Sequence, residues 1–393
     1  MDKRAFATLA ATMFIAMLGF GLVVPLLPIY AERLGASGLQ IGLITAAFSL
    51  SNILFLPVMG RLSDRLGRKI FLCISLTLLT VVSFGFVWAE SAAHLILLRL
   101  FQGFATSMHF PVAQAYLGDM TPEGQEGRWM GYFNAILFAG LGTGPLFGGV
   151  LNDLLGMSAV FIVTGILMIL SLLATLVFIR EPVKKEQHKK PKLSFAVIRK
   201  SNVLRGLLVL NMSVGVLFAV TMTFLPLLAA TNLALSTSLI GIILASRTPV
   251  SMLQSLTGRF ADIYNRKVQI IGGNLGALVF MIIMPSCATF WGLLFANVFL
   301  ALGMTISQPA ATAYVVEEGR TYGMGTTMSL FMMAMQVGSG IGPIAIGSVI
   351  DELGIAAGFY TGAVMNFMAI LFFTWMLRNH PGKKATSVNT PAA

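Results

Sequence analysis

Gly60-Arg-Leu-Ser-Asp64-Arg-Leu-Gly-Arg68-Lys69 returns 198 residues further on as Gly258-Arg-Phe-Ala-Asp262-Ile-Tyr-Asn-Arg266-Lys267. The same interval carries Pro28 onto Pro226, and Pro111, Ala113, Ala115 and Tyr116 onto Pro309, Ala311, Ala313 and Tyr314. It carries Gly142, Gly144 and Pro145 onto Gly340, Gly342 and Pro343, and Asp153 and Gly156 onto Asp351 and Gly354. Many clustered matches at one spacing, with no gap, mark a duplicated unit.

Each copy of that stretch lies between long apolar runs. About 20 apolar residues are needed to cross a hydrocarbon core. Such runs fall near 5–30, 38–60, 70–89, 93–117, 128–151 and 157–179, then near 205–230, 237–258, 268–287, 290–315, 324–349 and 355–377. The expected fold is an all-α membrane protein with twelve spans in two six-helix bundles: 1–179, a polar central loop at 180–204, 205–377, and a tail at 378–393. An even number of spans per copy makes the repeats parallel, related by a pseudo-two-fold axis along the membrane normal. Such folds place a substrate site near the midplane between halves that rock about it. The composition agrees: 56% of residues are hydrophobic and only 10% charged, against about a quarter charged in soluble domains.

The formal net charge of +11 forms no continuous basic groove, so nucleic acid is not the expected partner. The basic residues cluster in alternate loops: Lys3 and Arg4; Arg61, Arg65, Arg68 and Lys69; Arg128; nine between Arg180 and Arg205; Arg259, Arg266 and Lys267; Arg320; and Arg378, Lys383 and Lys384. The loops on the other side hold only Arg33. The positive-inside rule then puts both termini and the central loop in the cytoplasm. The charge is a topology signal and an attraction to anionic lipid. The first run is too long for a signal-peptide core of about 7–15 residues and is read as a retained first span. Cys73 and Cys287 sit alone in apolar segments and predict neither a disulfide nor a metal site. There is no nucleotide loop, metal cluster or nucleophile–base set, so neither an enzyme nor a cofactor is expected.

These stretches resemble the major facilitator superfamily along nearly the whole chain. Gly60 to Lys69 is similar to its cytoplasmic-loop signature, G-x-L-x-D-R-x-G-R-K. Arg99-Leu-Phe-Gln102-Gly103 resembles its fourth-helix motif, R-x-x-Q-G. Gly140-Leu-Gly-Thr-Gly144-Pro145-Leu-Phe-Gly148-Gly149 resembles the fifth-helix antiporter motif, G-x-x-x-G-P-x-x-G-G. With Gly19 to Pro25 and Pro28 they point to the twelve-helix drug:proton antiporters of bacterial type. The resemblance implies a monomer in the plasma membrane exporting small molecules in exchange for protons. It also implies that Asp64 faces the start of the eleventh helix, about 323–327, as a latch.

Individual residues then take physical readings. Arg68 can pair with both Asp64 and Asp119, and disturbing that cluster would shift the inward–outward balance. Gly140, Gly144 and Gly148, at i, i+4 and i+8, line one helix face and admit close approach. Pro145 favours a kink, and Gly338, Gly342 and Pro343 repeat the device. The expected result is a tightly packed seam between halves. Arg99 is an intramembrane cation that either stabilises buried backbone or tunes a neighbour's proton affinity, the second being the family's reading. Gln102, Thr106 and His109 share its helix face, and His109 alone among the intramembrane side chains titrates near neutral pH. Arg247 either pairs with carbonyls freed by Pro249 or attracts an anionic substrate group. The family implies a cavity lined by helices one, four, seven and ten, hence by Phe14, Met17, Phe20, Asn211, Met212, Phe218, Met222, Asn297, Met304 and Gln308. Flexible thioethers suit a promiscuous apolar site. All fifteen acidic residues fall in loops or at segment ends, and the first helix lacks the embedded acid common in drug antiporters. The carried solute is therefore either a range of lipophilic compounds or one metabolite, such as a sugar, siderophore, lipid-linked or anionic solute.

Overall fold

The computed structural model describes residues 3–121, 125–181, 196–253, 257 and 265–378. Most of the 180–204 loop, the 379–393 tail and Asp262 in the second copy of the opening stretch lie outside the described residues.

The described residues are almost wholly helical. The helices are α1 (Lys3–Val23), α2 (Leu27–Arg33), α3 (Gly38–Leu66), α4 (Arg68–Gly85), α5 (Ala92–Met120), α6 (Glu126–Leu155) and α7 (Met157–Phe178). The second half of the sequence gives α8 (Ala196–Lys200), α9 (Asn202–Asn232), α10 (Thr237–Ala245), α11 (Arg247–Met252), α12 (Arg266–Ile283), α13 (Phe290–Tyr322), α14 (Met324–Leu353) and α15 (Ile355–Met376). Among the described residues, ten helical stretches are long and apolar enough to cross a membrane. The other two expected crossings are α5, which carries Arg99, His109 and Asp119, and the eighth run, which is divided into α10 and α11.

Local chemistry sets these boundaries. Ser37 opens α3 with a reciprocal cap: its hydroxyl accepts from Gln40 N, and the Gln40 side chain accepts from Ser37 N. Ser236 caps α10, while Ser91 and Thr289, 198 residues apart, cap α5 and α13. Gly156 and Gly354 take φ of 83° and 85°, which lets α6 turn into α7 and α14 into α15. The single apolar run expected at 5–30 is broken after Val23, just before Pro25. The eighth run is broken at Ser246, because Pro249 offers no N–H to the carbonyl of Ala245, the last residue of α10.

Two compact units result. One comprises Met1–Lys189, Phe218–Thr248 and Ser339–Gly358; the other comprises Lys190–Leu217, Pro249–Gly338 and Phe359–Ala393. The boundary cuts α9, α11, α14 and α15, so the first unit gathers segments from both halves of the sequence. Its core is built on Leu9, Met13, Leu72, Val112, Tyr116 and Phe133. The core of the second is built on Leu207, Ile270, Tyr314, Val315, Phe373 and Leu377. Large side chains such as Leu54, Phe138, Leu154, Val177, Trp291 and Val364 are exposed, as expected of helices whose outer faces meet lipid rather than water.

Candidate functional site

The Gly60–Lys69 stretch is the end of α3 and the start of α4, and the turn between them is the single residue Gly67, at φ 113°. Arg68 turns back onto it, pairing with Asp64, donating from Nε to Asp119 at 3.1 Å and reaching Ser63 Oγ at 3.0 Å. The first turn of α4 is held by Glu181, whose carboxylate accepts from Arg68 N and from Lys69 N, the latter at 2.9 Å. Lys69 Nζ donates to Leu176 O at 2.7 Å, which ties the turn to the end of α7. Glu181 escaped sequence reading because nothing local distinguishes it from the other charges of the central loop. In the second unit, Arg266 Nη1 bonds Glu317 at 3.3 Å and lies 5.8 Å from the Tyr314 ring centre. Glu317 stands 198 residues after Asp119, a signal present in the sequence.

Arg99 is 3% exposed. Its Nε donates to Ile44 O at 3.3 Å, Nη1 donates to Gln102 Oε1 at 2.7 Å, and its guanidinium lies 4.5 Å from the Phe48 ring centre. Phe48 in turn meets Phe20 at 5.3 Å. Arg99 thus fastens α5 to a backbone carbonyl of α3, and no acidic partner for it occurs among the described residues. The Thr106 hydroxyl donates to Gln102 O, inside its own helix. His109 is buried, and neither of its ring nitrogens has a hydrogen-bond partner among the described residues.

Arg247 reaches Thr221 Oγ1 at 2.7 Å and lies 5.9 Å from the Phe218 ring centre. Met17, Phe20, Thr106 and Met222 are partly buried in the same unit, and Phe218 is exposed. Asn211, Asn297, Met304 and Gln308 belong to the second unit. There Gln308 donates to Asn211 Oδ1 at 3.4 Å, and Asn211 Nδ2 donates to Phe331 O at 2.7 Å. These residues border a void of ≈ 10 Å³, room for about one water. Asn297 is completely buried and Met304 partly so.

The fifth-helix glycines correct an expectation. Gly140, Gly144 and Gly148 do not meet the other half of the sequence: they pack on α1, against Phe14 to Leu18, Gly21 and Leu22. The neighbouring face of α6 makes the contact with the other half, where Gly142 faces Thr248, Pro145 O faces Gly241 and Gly149 faces Thr237. The geometric reason is that the i, i+4, i+8 stripe and the stripe through Gly142, Pro145 and Gly149 are separate faces of one helix. On α14, Gly338 packs on Met212, whereas Pro343 O meets Gly42 and Gly347 meets Gly38.

A family model described as Major Facilitator Superfamily matches residues 9–246 and 207–392. An uncharacterised MFS-type transporter of Methanocaldococcus jannaschii is 29% identical over 376 residues, 94% of this chain and 96% of that protein. A quinolone resistance protein, NorA, of Staphylococcus aureus is 28% identical over 362 residues, 89% and 91% of the two chains. A crystal structure of a bacterial homologue of the human lysosomal transporter Spinster covers 96% of this chain and 98% of its own, at TM-score 0.81 and 17% identity. The fold is therefore that of two six-helix halves, and the chain belongs to the major facilitator superfamily of membrane transporters.

Proposed function

We propose that this transporter exports lipophilic small molecules in exchange for protons, by alternating access between the halves 1–179 and 205–377. The observation that carries the reading is the near-full-length similarity to a quinolone resistance protein. The apolar, thioether and amide character of Met17, Phe20, Asn211, Phe218, Met222, Asn297, Met304 and Gln308 supports it, since such side chains repack around varied apolar solutes. In this reading Asp64, Arg68 and Asp119 gate the cytoplasmic side, where both termini and the central loop lie, and the protein sits in the cell membrane as a monomer. Arg99, Gln102 and His109 couple flux to protons.

Everted vesicles test the reading. Several chemically unrelated dyes should be taken up under an imposed pH gradient, and uptake should collapse with a protonophore. Uptake indifferent to the gradient would remove the proton, and Arg99→Ala with full gradient-driven flux would make Arg99 structural. A second reading, export of one metabolite, is favoured by Arg247 beside Thr221 and Phe218, a cation–hydroxyl–aromatic set suited to an anionic group. Dyes inert and one anionic solute carried would select it.

A further inference from the structure

At the helix ends opposite the Gly60–Lys69 stretch, the first unit holds two carboxylates in matching environments. Asp153, near the end of α6, accepts from Thr237 N at 3.1 Å and from Ser238 N at 2.8 Å, with the Thr237 hydroxyl 2.6 Å away and the Ser238 hydroxyl also bonded. Asn152 adds a bond from Nδ2 to Thr237 Oγ1 at 2.9 Å. Asp351, near the end of α14, accepts from Gly38 N with one oxygen and from Leu39 N at 2.9 Å with the other. Each carboxylate therefore takes the free N–H groups of the first turn of a helix from the other half of the sequence: α6 of the first half grips α10, and α14 of the second grips α3. The aspartates stand 198 residues apart. The gripped turns, Ser37-Gly38-Leu39 and Ser236-Thr237-Ser238, stand 199 apart. One device is built twice.

Glycine makes the grip possible. Gly149 lets α6 lie on the Thr237 carbonyl, and Gly347 lets α14 lie on the Gly38 carbonyl; a Cβ at either place would overlap backbone. One turn deeper, Gly241 meets Pro145 O and Gly42 meets Pro343 O. Neither aspartate is needed to build its own helix, since each sits in the last turn of one helix and bonds only to the start of another. A carboxylate at a helix N-terminus is stabilised both by the hydrogen bonds and by the helix dipole.

We propose that Asp153 and Asp351 are a matched pair of gating latches, each locking a helix start of the opposite half, and that both must release for this face to open during transport. The proposal rests on alternating access but not on the identity of the solute. It can be read without any solute, by electron–electron distance measurements on the full-length protein in nanodiscs. With Cys73 and Cys287 replaced by serine, spin labels at Leu155→Cys and Ala234→Cys report the first latch, and labels at Leu353→Cys and Arg33→Cys report the second. Asp153→Ala should raise the ratio of long- to short-distance populations about tenfold at the first pair, and Asp351→Ala likewise at the second, the expected scale for losing a charged helix cap. The double variant should open both. Asp153→Asn and Asp351→Asn, which keep an acceptor oxygen and so the fold, should give intermediate shifts. Distance distributions that superimpose on the parent would overturn the proposal, as would a lowered melting temperature with unshifted distances, which is what a merely structural role gives. Inert dyes with shifted distances would defeat drug export and leave the latches standing; dye flux with unshifted distances would do the reverse.

Discussion

Arg68 and Arg266 hold the same place in the two repeats, as do their partners Asp119 and Glu317, yet the two arrangements differ in depth. The Arg68 side chain is 12% exposed and is shared among Asp64, Asp119 and Ser63. The Arg266 side chain is 26% exposed, bonds Glu317 and lies beside the Tyr314 ring. The helix starts at Arg68 and Arg266 are capped differently as well. Glu181 caps α4 from beyond α7, whereas Asn265 caps α12 from the residue just before it, accepting from Lys267 N at 3.0 Å. Both bridges join the start of one helix to the end of the next, and the arginine of the first copy is the more deeply buried. A partly buried charge depends on its partners far more than one that water and salt can screen.

The largest test of this asymmetry is transport itself. Arg68→Ala, which removes a charge bonded to both Asp64 and Asp119, should lower flux per inserted protein about tenfold, and Arg266→Ala about twofold, on the scale of a more buried against a less buried cross-helix arginine. Equal losses in proteoliposomes would erase the difference. Next in size is the pairwise coupling. Double-mutant cycles should give about 1–2 kcal/mol for Arg68 with Asp119 and about 0.5 kcal/mol for Arg266 with Glu317, read from unfolding in detergent. A larger value for the second pair would reverse the ranking. The caps come last: Glu181→Ala should cost about 1 kcal/mol and Asn265→Ala about 0.5 kcal/mol of stability. A melting temperature unmoved by Glu181→Ala would reduce that residue to a bystander.

The repeat made much of this legible in advance. A 198-residue interval located both arginines and the Gly–Pro stripes, and apolar run length located the spans. What escaped is what depends on distant partners. Asp153 and Asp351 were visible as a matched pair, but their helix starts lie 84 and 312 residues away in the chain, and spacing cannot reveal such a partner. The stripe Gly140, Gly144, Gly148 was visible as a face, but periodicity does not say which helix a face meets; it meets α1. Arg99 was visible as a buried cation, while its acceptor, the carbonyl of Ile44, carries no side-chain signature at all. The break between α10 and α11 escaped as well, because Pro57, Pro111, Pro226 and Pro309 sit inside helices that continue, and nothing local sets Pro249 apart from them.

The close approach at Gly149 and Gly347 has a consequence at the level of the gene. Glycine and alanine codons differ by a single base in the second position, so alanine, the smallest replacement, is one base change away. At most positions in a bundle that change is mild. Here the added methyl would fall on the backbone of Thr237 or Gly38, acting as a doorstop between helices that meet main chain to main chain. Single-base mutation can therefore yield a protein that is made, inserted and held ajar at one end, a jammed machine rather than a missing one.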